Sequence, residues 1–261
     1  MLLVSWNVNS LRARMPRLEE LLSRHEPDVV ALQETKVAPD QLPHLELQAL
    51  GYRAVDHSSG RWNGVALLVR DDHEVDDVAA GLPGSPVPDE ARWVEATVAG
   101  VRVASVYVVN GRAVDDPQYE VKLAFLGAVR ERVAALRADP GAPPLALLGD
   151  VNVAPRDVDV WDVGAVHGGT HVSPAERRAL EHVGLFDAFL AAPETGPERF
   201  TWWDYRAGAF PRDAGMRIDL ALVDERLVDR LDFVGIDREL RRGEKPSDHA
   251  PLLVRLRDGE R

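Results

Sequence analysis

Two kinds of apolar pattern alternate along this chain. Short runs such as Leu2-Leu3-Val4-Ser5-Trp6, Asp28-Val29-Val30-Ala31-Leu32, Val101 to Val108, Leu145-Ala146-Leu147-Leu148, Arg217 to Val223 and Leu252-Leu253-Val254 are bounded by polar or turn-forming residues. Their length and β-branched content predict strands. Longer stretches repeat every three to four positions. Met15, Leu18, Leu21 and Leu22 form a stripe that predicts a helix from Arg14 to His25, and Val121, Phe125, Val129 and Val133 form one that predicts a helix from Tyr119 to Ala138. A third helix is expected from Pro174 to Val183. The Pro/Gly-rich patch Gly81 to Pro88 and the stretch Asp139 to Pro144 read as loops. Strands interleaved with helices predict an α/β fold. Strand-like segments run from residue 2 to residue 256 without a long linker, so one domain over residues 1–261 is expected. No internal repeat is legible, although two-sheet sandwiches can carry hidden symmetry.

The ends of the predicted strands are more informative than their interiors. The run Leu145 to Leu148 passes into Gly149-Asp150-Val151-Asn152. If strand geometry persists through that turn, Asp150 and Asn152 point to the same side. The first strand runs likewise into Asn7-Val8-Asn9, the second ends on Glu34, and the strand from Val101 carries Tyr107 near its end before an Asn110-Gly111 turn. Arg217 and Asp219 lie on the face opposite Ile218, and a charge within an apolar strand needs a partner. Pro246 and Pro251 bracket a Ser247-Asp248-His249 turn. Any one of these is an ordinary solvated strand exit. Their recurrence is not, because sites in layered α/β folds gather where strand ends meet.

Glu34, Asp150, Asp219 and Asp248 supply carboxylates, Asn7, Asn9 and Asn152 amides, His249 an imidazole and Tyr107 a phenol. Such an oxygen-rich set suits a hard divalent cation, magnesium or manganese. The chain has no cysteine, which excludes thiolate metal sites and cysteine nucleophiles. It also lacks the Gly-x-Ser-x-Gly, Walker and Gly-x-Gly-x-x-Gly motifs. Metal-assisted hydrolysis of a phosphate ester remains, with a carboxylate activating water and His249, oriented by Asp219, facing a phosphoryl oxygen.

In order, Ser5-Trp6-Asn7-Val8-Asn9, Leu32-Gln33-Glu34-Thr35-Lys36, Tyr107, Gly149-Asp150-Val151-Asn152, Thr201-Trp202-Trp203-Asp204-Tyr205-Arg206, Arg217-Ile218-Asp219 and Ser247-Asp248-His249 resemble the exonuclease III family of DNA repair enzymes, within the endonuclease/exonuclease/phosphatase superfamily. The resemblance covers nearly the whole chain. It implies a DNase I-like four-layer α/β sandwich, two packed mixed β-sheets flanked by helices, with the site at one end. It also implies roles: Glu34 as main magnesium ligand with Asn7 and Asp248, Asp150 activating water, and Asn152 and Tyr107 on the scissile phosphate. His249, paired to Asp219, would stabilise the transition state. Trp202, with Ile218 and Met216, would line a pocket for a base-free deoxyribose, and Asn9, Asn110, Arg112 and Arg206 complete the expected substrate-binding set. The chain departs from the family pattern at Val109, where proline often precedes Asn-Gly, and at Val151, where an aromatic is usual. Neither change removes a chemical group.

The implied activity is magnesium-dependent cleavage 5' to abasic sites in duplex DNA, with 3'-to-5' exonuclease and 3'-end phosphodiesterase or phosphatase activity. Two other readings are a phosphoesterase of the same superfamily acting only on 3' ends or on small or lipid phosphodiesters, and a non-catalytic DNA-binding scaffold. The formal net charge of -12 argues against a general nucleic-acid binder, since phosphate affinity rests on cations. Positive charge must therefore be local, as at Arg12, Arg14 and Arg17, at Arg206 and Arg212, and at Arg241, Arg242 and Lys245. No apolar run reaches transmembrane length and the N-terminus lacks a secretory pattern. A cytoplasmic monomer is expected.

Overall fold

The computed structural model describes residues 1–259. In chain order its strands are β1 (Leu2–Asn7), β2 (Val29–Gln33), β3 (Tyr52–His57), β4 (Val65–Arg70), β5 (Val75–Ala80) and β6 (Trp93–Val98). The chain continues with β7 (Val101–Tyr107), β8 (Leu145–Asp150), β9 (Phe186–Asp187), β10 (Asp219–Val223), β11 (Leu231–Ile236) and β12 (Leu252–Leu256). They form two six-stranded mixed sheets, ordered β11-β12-β1-β2-β4-β3 and β5-β6-β7-β8-β10-β9. Each sheet has one parallel pair at its centre. β1 crosses to β2 through the helix Leu11–His25, and β7 crosses to β8 through the helix Pro117–Arg137. All other pairings are antiparallel. The two sheets thus share one pattern of strand pairing, though β6 runs directly into β7 while their counterparts β12 and β1 are the last and first strands.

Alternation along the strands separates the layers. Leu3, Val29, Ala31 and Leu67 of one sheet pack against Val103, Ala146, Leu148 and Ala221 of the other in the central core. The opposite faces are covered by helices: Val4, Val30 and Leu32 by Leu18, Leu21 and Leu22, and Val106, Leu147 and Leu222 by Phe125, Val129 and Val133. A DNase I-like four-layer sandwich results. One polar contact crosses the central core close to the strand ends, where Gln33 Nε2 donates to Ser105 Oγ at 3.0 Å and that hydroxyl donates to Leu32 O at 2.8 Å.

Helix ends follow their capping chemistry. Asp116 accepts from the Gln118 amide at 2.8 Å with Pro117 in the first turn, so this helix begins two residues before the apolar stripe predicts. Ser173 and Glu176 form a capping box at Pro174–Glu181, two residues shorter than expected. The first helix begins at Leu11 rather than Arg14. Its cap is not local: the Ser10 and Leu11 amides donate to the Glu34 and Thr35 carbonyls at 2.8 and 2.9 Å. This ties the end of β1 to the end of β2. β10 begins at Asp219, leaving Arg217 outside the strand, fully buried against Asp159 and Asp187.

Gly149 is required by close approach. A Cβ there would overlap the carbonyl oxygen of Val106 on the neighbouring strand. Gly149→Ala is therefore expected to destabilise the fold by about 3 kcal/mol or more, since β7 and β8 must separate to admit the methyl group. Urea unfolding of the variant measures this, and a shift within error of wild type would contradict the packing.

Candidate active site

The C-terminal ends of both central parallel pairs lie at the same edge of the sandwich. Asn7 ends β1, Glu34 follows β2, Tyr107 ends β7 and Asp150 ends β8. Tyr107 and Asp150 are register partners, and so are Asp150 and Asp219. His249 arrives just before β12, clipped to the end of β1: Ser247 Oγ donates to Asn7 O at 2.6 Å and Trp6 Nε1 donates to His249 O at 3.1 Å.

Beyond these ends the backbone leaves strand geometry. Asn9, Glu34, Lys36 and Asn152 all have positive φ, between 44° and 56°. The expectation that Asp150 and Asn152, or Asn7 and Asn9, share a side through persistent extended geometry is thus corrected. Left-handed turns re-aim these side chains, a conformation that asparagine tolerates better than most residues.

Asn7 is the hub of the acidic cluster. Its Nδ2 donates to Glu34 Oε1 at 2.8 Å and to Asp150 Oδ2 at 3.0 Å, while its Oδ1 accepts from the Asn9 amide at 3.0 Å. Glu34, Asp150 and His249 place one ligand-type atom each within 4.8 Å of one another. His249 Nδ1 lies 2.8 Å from Asp219 Oδ2, and its Nε2 lies 3.9 Å from Asp150 Oδ2. The Asn152 side chain is fixed between Val108 O, to which Nδ2 donates at 3.0 Å, and Asn110 Nδ2, which donates to Oδ1 at 3.0 Å. Asp248 is placed differently. Its oxygens accept from Asn9 Nδ2 at 2.9 Å and Trp202 Nε1 at 3.1 Å, to the side of the Glu34–Asp150 pair.

Burial sets the charges. Asp150 is 2% exposed, and desolvation, with the Asp219 and Glu34 carboxylates adding to it, pushes its carboxyl up to about 7 despite His249 and Asn7. Burial disfavours the His249 imidazolium, but Asp219 outweighs this, helped by Asp150 and Asp248, and raises it to about 10. Tyr107 is held well above its ordinary value by burial and by Glu34 and Asp150, so it stays a phenol.

Carboxylate charge exceeds cation charge here, which is the condition a divalent cation relieves. Glu34 and Asp150 offer the hard oxygen donors such an ion takes, and the donor set fits it. His249 is not part of that set, because an imidazolium has no free lone pair.

Trp202, Met216 and Ile218 form one apolar patch with Ala154, Val160 and Val172. It adjoins the polar cluster through the Trp202 N–H bond to Asp248 and a backbone bridge between Trp202 and His249. On the other side a cleft of about 640 Å³ includes Tyr107, Asn110 and Arg112, together with Arg61, Trp62 and Arg92. Arg112, exposed at the cleft, lies 3.9 Å from Asp116, whereas Arg206 is paired more closely with Asp204, at 2.7 Å on the surface. The sequence reading missed Lys36, whose Nζ lies 2.8 Å from Glu34 Oε2 and donates to Asn9 Oδ1 at 2.6 Å. It also missed Trp62, which is 73% exposed. The Lys36 signal was its spacing from Glu34. Nothing in the sequence distinguishes an exposed tryptophan from a core one.

Because Asp219 is what holds His249 charged, Asp219→Asn is expected to move the His249 midpoint from about 10 toward the ordinary 6.5. The ring should stay protonated through pH 8 in the wild type and lose its proton by that pH in the variant. Imidazole proton resonances of the metal-free protein report this, and unchanged midpoints would refute the pairing.

Residues 4–249 match the Endonuclease/Exonuclease/phosphatase family. The chain is 31% identical to Exodeoxyribonuclease III of Haemophilus influenzae over 97% of this chain and 99% of that protein. Among solved structures it superposes with a TM-score of 0.91 on the 3' phosphatase NExo from Neisseria bound to a product DNA hairpin, at 38% identity over 98% of this chain and 99% of that one. It superposes with a TM-score of 0.90 on an AP endonuclease from Archaeoglobus fulgidus, at 32% identity over 98% and 99% of the two chains. With its strand ends converging on an acidic cluster and its full-length likeness to these nucleases, the chain belongs to the endonuclease/exonuclease/phosphatase family as an exonuclease III-like phosphodiesterase.

Proposed function

We propose that this enzyme is a magnesium-dependent DNA repair nuclease that hydrolyses the phosphodiester 5' to an abasic site in duplex DNA and also trims 3' ends as exonuclease and phosphatase. The observation that carries the reading is the buried Asp150–His249–Asp219 arrangement beside Glu34 and Asn7. Magnesium held by Glu34 and Asp150, with manganese as substitute, would neutralise phosphoryl charge and stabilise the leaving oxygen. Of the other expected ligands, Asn7 bridges that pair through its amide N–H groups, and Asp248 stands to its side.

The residues divide the remaining work. Ionised Asp150 takes a proton from water as the water oxygen bonds to phosphorus and the P–O3' bond breaks, and the departing O3' takes a proton from solvent water to become the 3'-hydroxyl. The His249 imidazolium, the Tyr107 phenol and the Asn152 N–H group donate to the phosphoryl oxygens as their charge grows. Trp202, Met216 and Ile218 form an apolar surface beside the reacting phosphate, suited to a deoxyribose without its base. Asn9, Asn110 and Arg112 flank the strand, and Arg206 contributes less because Asp204 neutralises it.

A duplex carrying one abasic analogue, incubated with magnesium or with chelator beside undamaged and 3'-phosphate duplexes, tests this. Expected are a magnesium-dependent cut 5' to the lesion, release of 3'-phosphate, and a rate about 10²–10⁴-fold lower for Asp150→Asn. Activity of that variant near wild type would refute the mechanism. A second reading, action on 3' ends alone, is favoured by the 38% identity to the 3' phosphatase NExo against 32% to the AP endonuclease. Trimming of 3' ends without lesion cleavage would establish it and remove the pocket role of Trp202. The enzyme is expected to work as a cytoplasmic monomer. Among the described residues no helix is long and apolar enough to cross a membrane.

A further inference from the structure

Behind Asn152 lies a second charged group that the reaction above does not use. Lys122, on the helix Pro117–Arg137, is 0% exposed, and so is its partner Glu176, on the helix Pro174–Glu181. The Lys122 ammonium donates to the Asn152 carbonyl at 2.7 Å, to Glu176 Oε1 and to Thr170 Oγ1 at 3.3 Å. Glu176 Oε1 also accepts from Thr170 Oγ1 at 2.8 Å and from the His171 amide at 2.9 Å, and Oε2 accepts from the Ser173 amide at 3.0 Å. The Thr170 hydroxyl in turn lies 3.2 Å from Asn110 O. His171 completes the group, its Nδ1 lying 2.5 Å from the same Asn152 carbonyl. Burial and Lys122 push this imidazole down to about 4, so it is neutral. A carbonyl only accepts, which puts the ring proton on Nδ1.

A buried lysine–glutamate pair is a poor source of stability, because desolvating two charges cancels most of their attraction. What this pair does is geometric. Three loops meet at it: Val108–Gly111 through Asn110, the turn after β8 through Asn152, and the Thr170–Ser173 segment. Asn152 has φ 56° and His171 φ 78°, so two left-handed turns face each other across one carbonyl. A left-handed turn persists only where its surroundings over-determine it. Here the Asn152 peptide is held by two donors on its carbonyl and by Asp150 Oδ1, which accepts from its N–H at 3.0 Å.

We propose that Lys122, braced by Glu176 and seconded by His171, is a positioning residue for catalysis: it fixes the Asn152 peptide so that the Asn152 and Asn110 carboxamides stay aligned on the reacting phosphate. This rests on the reading of Asn152 as a phosphate contact. The Lys122 and Glu176 side chains bond neither the arginine side chains nor Trp202, so the pair acts on the chemical step and not on DNA capture.

The test is steady-state cleavage by Lys122→Met/Glu176→Gln, which removes both buried charges together, in wild-type and Asn152→Ala backgrounds. Expected is a kcat lowered about 10–100-fold with KM for the duplex within about twofold, and no further loss when Asn152 is already alanine. His171→Phe removes one donor without stranding a charge, and it should lower kcat about threefold or more, again only when Asn152 is present. It supplies the same comparison if the double variant does not fold. Full kcat in a folded variant, or losses that multiply with Asn152→Ala, would overturn the inference. Full activity of Asn152→Ala alone would instead refute the phosphate-contact reading on which it rests.

Discussion

Two carboxylates stand opposite each other in neighbouring strands, Asp150 closing β8 and Asp219 opening β10, and both are buried. Unpaired, they would repel in a medium that solvates neither. His249 lies between them, and its charge is what makes the arrangement tenable. Asp219 satisfies one side of the ring completely, while Asp150 remains only half compensated and sits near neutrality in its proton affinity. The same imbalance that strains the fold leaves one carboxylate ready to exchange a proton and the cluster short of positive charge. Each of the other site residues either relieves that shortage, as Lys36 and Asn7 do, or is aimed by the loops around it.

The architecture explains why the cluster can be assembled from residues far apart in sequence. Each sheet has one central parallel pair, and both pairs end at the same edge, so Asn7, Glu34, Tyr107 and Asp150 arrive together without long connections. Cross-links between strand ends then fix the loops: the Glu34 and Thr35 carbonyls cap the first helix, and Ser247 pins the His249 turn to Asn7. Behind the Asn152 turn, Lys122 and Glu176 play the same part with side chains.

Most of the fold, and the polar residues that converge at the strand ends, were legible because they follow from period and order. Apolar runs of strand length mark the central strands, and the polar residues at their ends are those that converge in the acidic cluster. Three things were hidden. Left-handed backbone at Asn9 and Asn152 has no reliable sequence mark, so the aim of those side chains differs from what strand geometry predicts. The start of the first helix depends on carbonyls more than twenty residues away, which no local pattern encodes. Lys122 lies in a helix where the stripe of Val121, Phe125 and Val129 marks the buried face, and a lysine beside that stripe reads as solvated until Glu176 is seen against it.

The central claim is that Asp150 carries charge left uncompensated by His249 and Asn7, and that a divalent cation supplies the compensation. Calorimetric titration of magnesium or manganese in buffers of different ionisation enthalpy measures this most directly, because it counts the protons displaced on binding. With Asp150 near 7 in the metal-free protein, binding should release about one proton at pH 6 and almost none at pH 8.5, and Glu34→Gln should weaken it at least tenfold. Proton release absent at pH 6, or binding indifferent to Glu34, would contradict it.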